Sequence, residues 1–129
     1  PSLTLLTLNG LVAANGVIVP MLCEYYALEG ISDLIATVRK IRKAINPKLD
    51  ILGIVRTMYN PQSRLSLEVG EQLEKHFSRL VFNTIIPRNV RLAEAPSHGM
   101  PALAYDPKAK GSIAYLELAD EVIARCKAA

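Results

Sequence analysis

Arg88 and Arg91 lie three residues apart in the segment IPRNVRLAEAPSHGMP, residues 86–101. On a short helical turn that spacing puts both guanidinium groups on one face. A planar fork of N–H donors suits a phosphate. The same two side chains could instead solvate a loop and pair with Glu94. Lys108 and Lys110, in YDPKAKG (105–111), would extend a basic edge, because five cations from Arg79 to Lys110 meet only Glu94 and Asp106. A second positive run, Arg39–Lys43, is accounted for more simply by a solvated helix end that complements the helix dipole.

Other chemistries find less support. Ser97 and His98 are neighbours in sequence, which does not make a nucleophile and its base, and no carboxylate is spaced to orient the imidazole. His98 is expected to bond backbone within its loop, and His76 to be a solvated residue near a helix end. No His, Cys or Asp cluster has metal-ligand spacing, so no metal site and no catalytic residue is assigned. Neither G-x-x-x-x-G-K-[ST] nor G-x-G-x-x-G occurs in the chain. Cys23 and Cys126 read as small buried or half-buried residues.

These residues must be held by an alternating set of elements. Thr4–Ala14 reads as an apolar helix ended by the turn pair Asn15-Gly16. Val17–Leu22 is a short β-branched run, hence a buried strand. Ala27–Asn46 is an amphipathic helix, with Ile31, Leu34, Ile35, Val38, Ile41 and Ile45 on one face and Pro47 as its stop. Leu49–Met58 and Leu80–Ile86 are two further strands, separated by a helix over Ser66–Phe77. Pro87–Gly111 contains four prolines and reads as long and mostly irregular. Ser112–Ala128 is a final helix with Ile113, Leu116, Ala119, Ile123 and Cys126 on its apolar stripe.

Alternation of this kind predicts an α/β fold with a mostly parallel sheet flanked by helices, covered on both faces. In such sheets ligands bind outside the carboxyl ends of the strands. That rule selects 23–30, 59–65 and 87–101. A loop of the last segment's length inside a compact domain is usually functional. The opening helix is apolar all round and so must be buried by something, which points to a larger α/β domain.

The chain has 129 residues, half of them hydrophobic, with 15 Lys+Arg against 12 Asp+Glu and two cysteines. This is the composition of one globular domain, neither disordered nor disulfide-scaffolded. The charge of +3 permits a nucleic-acid contact without announcing one. No charged residue precedes Glu24, yet Asn9, Gly10, Asn15, Gly16 and Pro20 interrupt that window. Two buried elements joined by a turn fit it better than a membrane span. No basic segment precedes it, as a secretory signal requires. The expectation is a cytoplasmic protein with free thiols.

Four phrases, CEYYALEG (23–30), TMYNPQSRL (57–65), IPRNVRLAEAPSHGMP (86–101) and YDPKAKG (105–111), together resemble the ParA/Soj chromosome-partitioning ATPases. The likeness runs through essentially the whole chain. PSLTLLTLN at its start resembles the family's segment just after the Walker B strand. In that family the deviant P-loop and the Walker B Asp lie upstream. The resemblance thus implies that residues 1–129 are the C-terminal part of a single P-loop NTPase-like, doubly wound domain. ATP and Mg²⁺ would be cofactors of the full-length protein, with none expected for these residues alone. Without the phosphate-cradling groups, they are expected not to hydrolyse ATP.

The same resemblance implies the site residues. Thr57, Met58, Pro87, Arg88, Asn89 and Val90 would border the nucleotide base. Arg91, Arg64, Lys108 and Lys110 would contact double-stranded DNA without sequence preference. Glu24, Tyr25 and Tyr26 would lie near the face of an ATP-dependent homodimer. Its partners would be a ParB-type protein and nucleoid DNA, with no membrane. Three positions depart from the family. Gln62 stands where Arg is frequent, with Arg64 two residues later. Lys108 and Lys110 replace arginines. Asn60 stands where Asp is common. The alternatives are a MinD-like membrane-associated regulator of division-site placement and a stand-alone binding module. Against the first, the chain ends VIARCKAA, with only Arg125 and Lys127 as terminal cations.

Overall fold

The computed structural model describes residues 4–128. Helix α1 spans Leu5–Ala13, strand β1 Gly16–Leu22, α2 Ala27–Ala44, β2 Asp50–Tyr59, α3 Arg64–Phe77 and β3 Val81–Pro87. Short helices α4 (Val90–Glu94) and α5 (Ala102–Tyr105) follow, with a 3₁₀ turn at Ala95–His98 between them, and α6 runs Lys110–Ala128. The three strands form one sheet in the order β1-β2-β3, and both neighbouring pairs are parallel. The expected α/β architecture is therefore present, since parallel neighbours need a crossover, here α2 and then α3.

The two faces carry different cores. Ile31 and Ile35 of α2 and Val69 and Leu73 of α3 bury against Val19, Met21, Ile54 and Val81. On the other face, Ala114, Leu118 and Val122 of α6 meet Val55, Phe82 and Ile86. A third cluster joins Val38, Ile41 and Leu49 to Leu8 and Leu11 of α1. Because α6 sits over β3 and β2, it leaves Ile18, Pro20 and Leu22 of β1 exposed. Strand β1 is thus covered on one face only, not on both as the apolar run suggested.

Helix α1 is likewise less enclosed than its composition demands. Leu5 and Leu6 are 73% and 81% exposed. Its C-terminus is held by a residue that the helical periodicity did not single out. Asn46 Nδ2 donates to the carbonyls of Leu11 (3.1 Å), Val12 (3.0 Å) and Ala14 (2.7 Å). Those groups are orphaned at a helix end and need outside donors.

Two sequence expectations fail in informative ways. Pro87–Gly111 is mostly helical. Asn89 Oδ1 accepts Arg91 N–H at 3.0 Å and starts α4, Pro96 opens the 3₁₀ turn, and Gly99 at φ +63° ends it. Prolines here mark starts of turns, where the missing N–H costs nothing. In α6 the expected apolar stripe faces outward: Ile113, Leu116, Ala119, Ile123 and Cys126 are all exposed. The inward face instead carries Ala114, Leu118, Glu121, Val122 and Arg125. Its polar members satisfy backbone groups of β2 and β3, and a hydrophobic period cannot register that demand.

Candidate functional site

The ends of β1 and β2 and the starts of α2 and α3 enclose a cleft of about 860 Å³. Its floor is Val19, Met21 and Cys23, and its rim carries Glu24, Tyr25, Tyr26, Met58, Asn60 and Arg88. It stands at the carboxyl edge of the sheet, where the topology of parallel strands opens a binding crevice.

Met58 is the most unusual residue in it. Its φ is +49°, in the left-handed region, where it is the sole non-glycine among the described residues. Its side chain is 60% exposed at the cleft, so packing does not explain the strain. Backbone strain of this kind collects at ligand sites. The same cleft is lined by the rings of Tyr25 and Tyr26, edge to face with centroids 5.1 Å apart, and both are about three-quarters exposed. Local sequence sets the rest of the rim. Asn60 Oδ1 accepts Gln62 N–H at 3.1 Å, and Ser63 Oγ accepts Ser66 N–H at 3.3 Å, capping α3. An Asn-Pro turn followed by Ser-x-x-Ser is a legible helix-start signal, and it identifies Asn60, Ser63 and Ser66 as lining residues that the site expectations omitted.

Below the floor, Arg56 is buried at 7% exposure in β2. Its Nη1 pairs with Glu74 Oε1 at 2.6 Å, and its Nη2 donates to the Phe82 carbonyl at 3.4 Å. Burial raises the Cys23 thiol pKa, and the Arg56 charge opposes that rise. Cys23 is therefore an uncharged part of an apolar floor, and Cys126 is exposed.

Of the residues expected to border a nucleotide base, Met58 and Arg88 line the cleft. Thr57 turns its hydroxyl to the Met21 carbonyl at 3.4 Å, Asn89 caps α4, Pro87 is half-buried at the end of β3, and Val90 is exposed. These four flank the cleft without lining it. Glu24, Tyr25 and Tyr26, expected at a dimer face, share the cleft with Met58 and Arg88.

The two arginines of the 86–101 segment part company. Arg88 N–H donates to the Tyr59 carbonyl at 3.0 Å, joining the ends of β2 and β3, and its side chain reaches the cleft. Arg91 lies outside it. Arg91 Nη1 pairs with Glu94 Oε2 at 2.9 Å and Arg91 Nε with Asp106 Oδ2 at 3.5 Å. Glu94 beside it, helped by Tyr105, pushes the Arg91 pKa above its ordinary value. Arg64, on the first residue of α3, pairs with Glu68 at 3.0 Å across one turn. Lys108 and Lys110 are exposed. His98 stacks on Tyr105 with ring centroids 4.9 Å apart, whereas a backbone contact was expected.

The residues present fit only part of a nucleotide. Met58, the tyrosine rings and Arg88 offer apolar and cationic contacts to a base or sugar. Among the described residues no group of three His, Cys, Asp or Glu side chains is placed to hold a metal ion. A triphosphate and its Mg²⁺ would need groups beyond these. Among the described residues, no helix is long and apolar enough to cross a membrane.

With this geometry in place, known proteins give it a context. The sequence profile of a family described as "AAA domain" matches residues 1–51. The chain is 51% identical over 124 residues to the "Sporulation initiation inhibitor protein Soj" of Bacillus subtilis, covering 96% of the chain and 49% of that protein. It is 52% identical over 129 residues to the "Chromosome-partitioning ATPase Soj" of Thermus thermophilus, covering 100% of the chain and 52% of that protein. A solved structure of cobyrinic acid a,c-diamide synthase from Mycobacterium smegmatis, with bound ATP analog and magnesium, superposes with a TM-score of 0.75. Its sequence identity is 34%, over 98% of this chain and 45% of that one. The chain spans about half the length of the curated relatives it matches. Over the length that it spans, the chain belongs to the ParA/Soj family of chromosome-partitioning ATPases.

Proposed function

We propose that residues 1–129 form the C-terminal part of a single ParA/Soj-type ATPase domain. In this reading they supply the base side of the nucleotide site, part of a dimer face and a DNA-binding surface. The observation that carries it is Met58. An exposed side chain on a strained backbone at the carboxyl edge of a parallel sheet, in a cleft shared with two exposed tyrosines and Arg88, suits a flat apolar ligand such as a purine base.

The base would lie near Met58 and the flanking strand ends at Thr57 and Pro87–Val90. Arg88 would supply positive charge. ATP with Mg²⁺ is the expected ligand of the full-length protein. Bound nucleotide supplies a phosphoanhydride for hydrolysis, and this chain's own residues bind and orient its base. Glu24, Tyr25 and Tyr26, on the same rim, would lie near the face of an ATP-dependent homodimer. The exposed apolar faces of α1 and β1 support a larger fold that covers them.

Arg91, with Arg64, Lys108 and Lys110, would contact the phosphates of double-stranded DNA without reading sequence. A ParB-type protein would be the partner, and the working place the nucleoid within the cytoplasm. The membrane-associated alternative loses support, because Arg125, one of the two terminal cations, is turned inward onto the sheet and away from any lipid headgroup.

The experiment is duplex binding by the full-length protein with ATP, measured as fluorescence anisotropy over a salt series. Arg91→Glu should weaken binding to unrelated duplexes about equally and flatten the salt dependence, because phosphate contacts carry no sequence information. Unchanged affinity in that variant refutes the DNA assignment.

A further inference from the structure

We propose that Glu94 and Asp106 form a clasp on Arg91, a built-in competitor that DNA phosphate must displace. The proposal rests on the reading of Arg91 as a phosphate contact and adds how that contact is controlled.

The clasp is assembled by local structure. Asn89 starts α4, so Arg91 and Glu94 fall three residues apart on one helical face. Their side chains meet at 2.9 Å. Arg91 Nε reaches Asp106 at 3.5 Å, across to the residue that ends α5. The Tyr105 hydroxyl donates to the same Glu94 oxygen, Oε2, at 3.2 Å. Tyr105 is itself stacked on His98. Glu94 is therefore steadied by Tyr105 as well as by Arg91.

Charge decides what this does. One guanidinium against two carboxylates leaves the group at a formal −1. An arginine already compensated in this way neutralises less phosphate charge and so displaces fewer of the counterions condensed on DNA, which withholds part of its contribution to the salt dependence of binding. Arg64 pairs with Glu68 alone, and Arg88, Lys108 and Lys110 have no ion pair among the described residues, so Arg91 is distinguished by facing two carboxylates. The pair is also exchangeable. The Arg91 side chain is 55% exposed, and ion pairs open to water contribute little net stability. A phosphate that presents two oxygens can take both donors of the fork at once.

The test uses the protein expressed from its own gene, with ATP and Mg²⁺, and a labelled duplex of arbitrary sequence over a salt series. Glu94→Gln keeps an acceptor for Tyr105 and Arg91 but removes the charge. It should tighten binding about two- to fivefold. It should also steepen the plot of log affinity against log salt by about one unit. Asp106→Asn leaves the Glu94 contacts in place and should act in the same direction. In an Arg91→Ala background the gain from Glu94→Gln should vanish, which separates the clasp from a general loss of negative charge. A gain that persists there overturns the proposal. So does equal or weaker binding by both neutralised variants when Arg91→Ala weakens binding, because the carboxylates then serve only to position Arg91. If Arg91→Ala itself leaves binding unchanged, the DNA reading of Arg91 fails, and the clasp falls with it. Circular dichroism of each variant excludes unfolding as the cause of a lost signal.

Discussion

The guanidinium of Arg125 lies over the ring of Phe82, 4.0 Å from its centroid. Its Nη1 donates to the carbonyls of Leu52 (2.9 Å) and Leu80 (3.0 Å), and its Nη2 to that of Val81 (2.7 Å). A cation from the last helix thus closes backbone groups at the start of two strands. Such contacts combine charge-assisted hydrogen bonds with attraction to an aromatic face.

That approach is possible because residue 53 is glycine. A Cβ there would press on the Phe82 ring and stand 2.6 Å from Arg125 Nη1. Gly53→Ala should therefore destabilise the fold by about 2–3 kcal/mol through overpacking, read as a lower midpoint in urea. A midpoint within error of the parent's would show that the ring and guanidinium shift freely.

Glu121 makes the complementary contacts. Its carboxylate accepts Asn83 N–H (2.9 Å), Thr84 N–H (3.0 Å) and the Thr84 hydroxyl (3.0 Å), and it pairs with Arg125 at 3.2 Å. Burial opposes its ionisation, but the Thr84 and Asn83 hydrogen bonds and the Arg125 charge outweigh it and lower its pKa from 4.5. A lowered folded pKa gives stability that is present above about pH 4.5 and lost as pH falls through the folded value. Glu121→Gln should cost about 1–3 kcal/mol at pH 7. Its deficit should shrink in acid, because the parent loses the same charge there. A deficit that stays constant from pH 7 to pH 3 would contradict the pairing.

Met58→Gly separates strain from function. Glycine occupies positive φ without the cost of about 1–2 kcal/mol that other residues meet there. The variant should be at least as stable as the parent, while a fluorescent ATP analogue should bind it about fivefold more weakly, for about 1 kcal/mol of lost apolar contact. Equal affinity would remove Met58 from the base-binding surface.

Tyr25 and Tyr26 are exposed and touch each other at the rim. The double variant Tyr25→Ser, Tyr26→Ser should leave thermal stability within about 0.5 kcal/mol, as exposed positions do. The ATP-dependent dimer should weaken, as seen in sedimentation. A dimer of unchanged affinity would place its face elsewhere.

Asn46→Ala removes the amide whose two N–H donors are shared among three carbonyls at the end of α1. A loss of about 1–2 kcal/mol is expected. Faster amide exchange should be confined to α1 and its junction with β1. Global acceleration would mean that α1 is integral to the main core.

The sequence by itself determined the order of elements, the parallel sheet and the family. Apolar runs of strand length, a helix with isoleucines at 3.6-residue spacing, and turn pairs such as Asn15-Gly16 are local signals, and each specifies local structure. Whole phrases such as CEYYALEG carried the family resemblance. The residues of the cleft were also partly legible, because strand ends follow from strand order.

Tertiary structure alone decided which groups face each other. Helix α6 turns Glu121 and Arg125 inward, where they bond backbone groups at the strand starts and along the irregular part of β3, and Ile113, Leu116 and Ile123 face out. Arg88 and Arg91 share a motif but not a surroundings: one ends a strand at the cleft, the other starts a helix within reach of Glu94 and Asp106. The left-handed Met58 has no sequence signature, since methionine is not a residue type that favours positive φ. Periodicity reports how much apolar surface a segment buries. It carries no information on which backbone donors and acceptors, distant in sequence, will need a partner when the segment arrives.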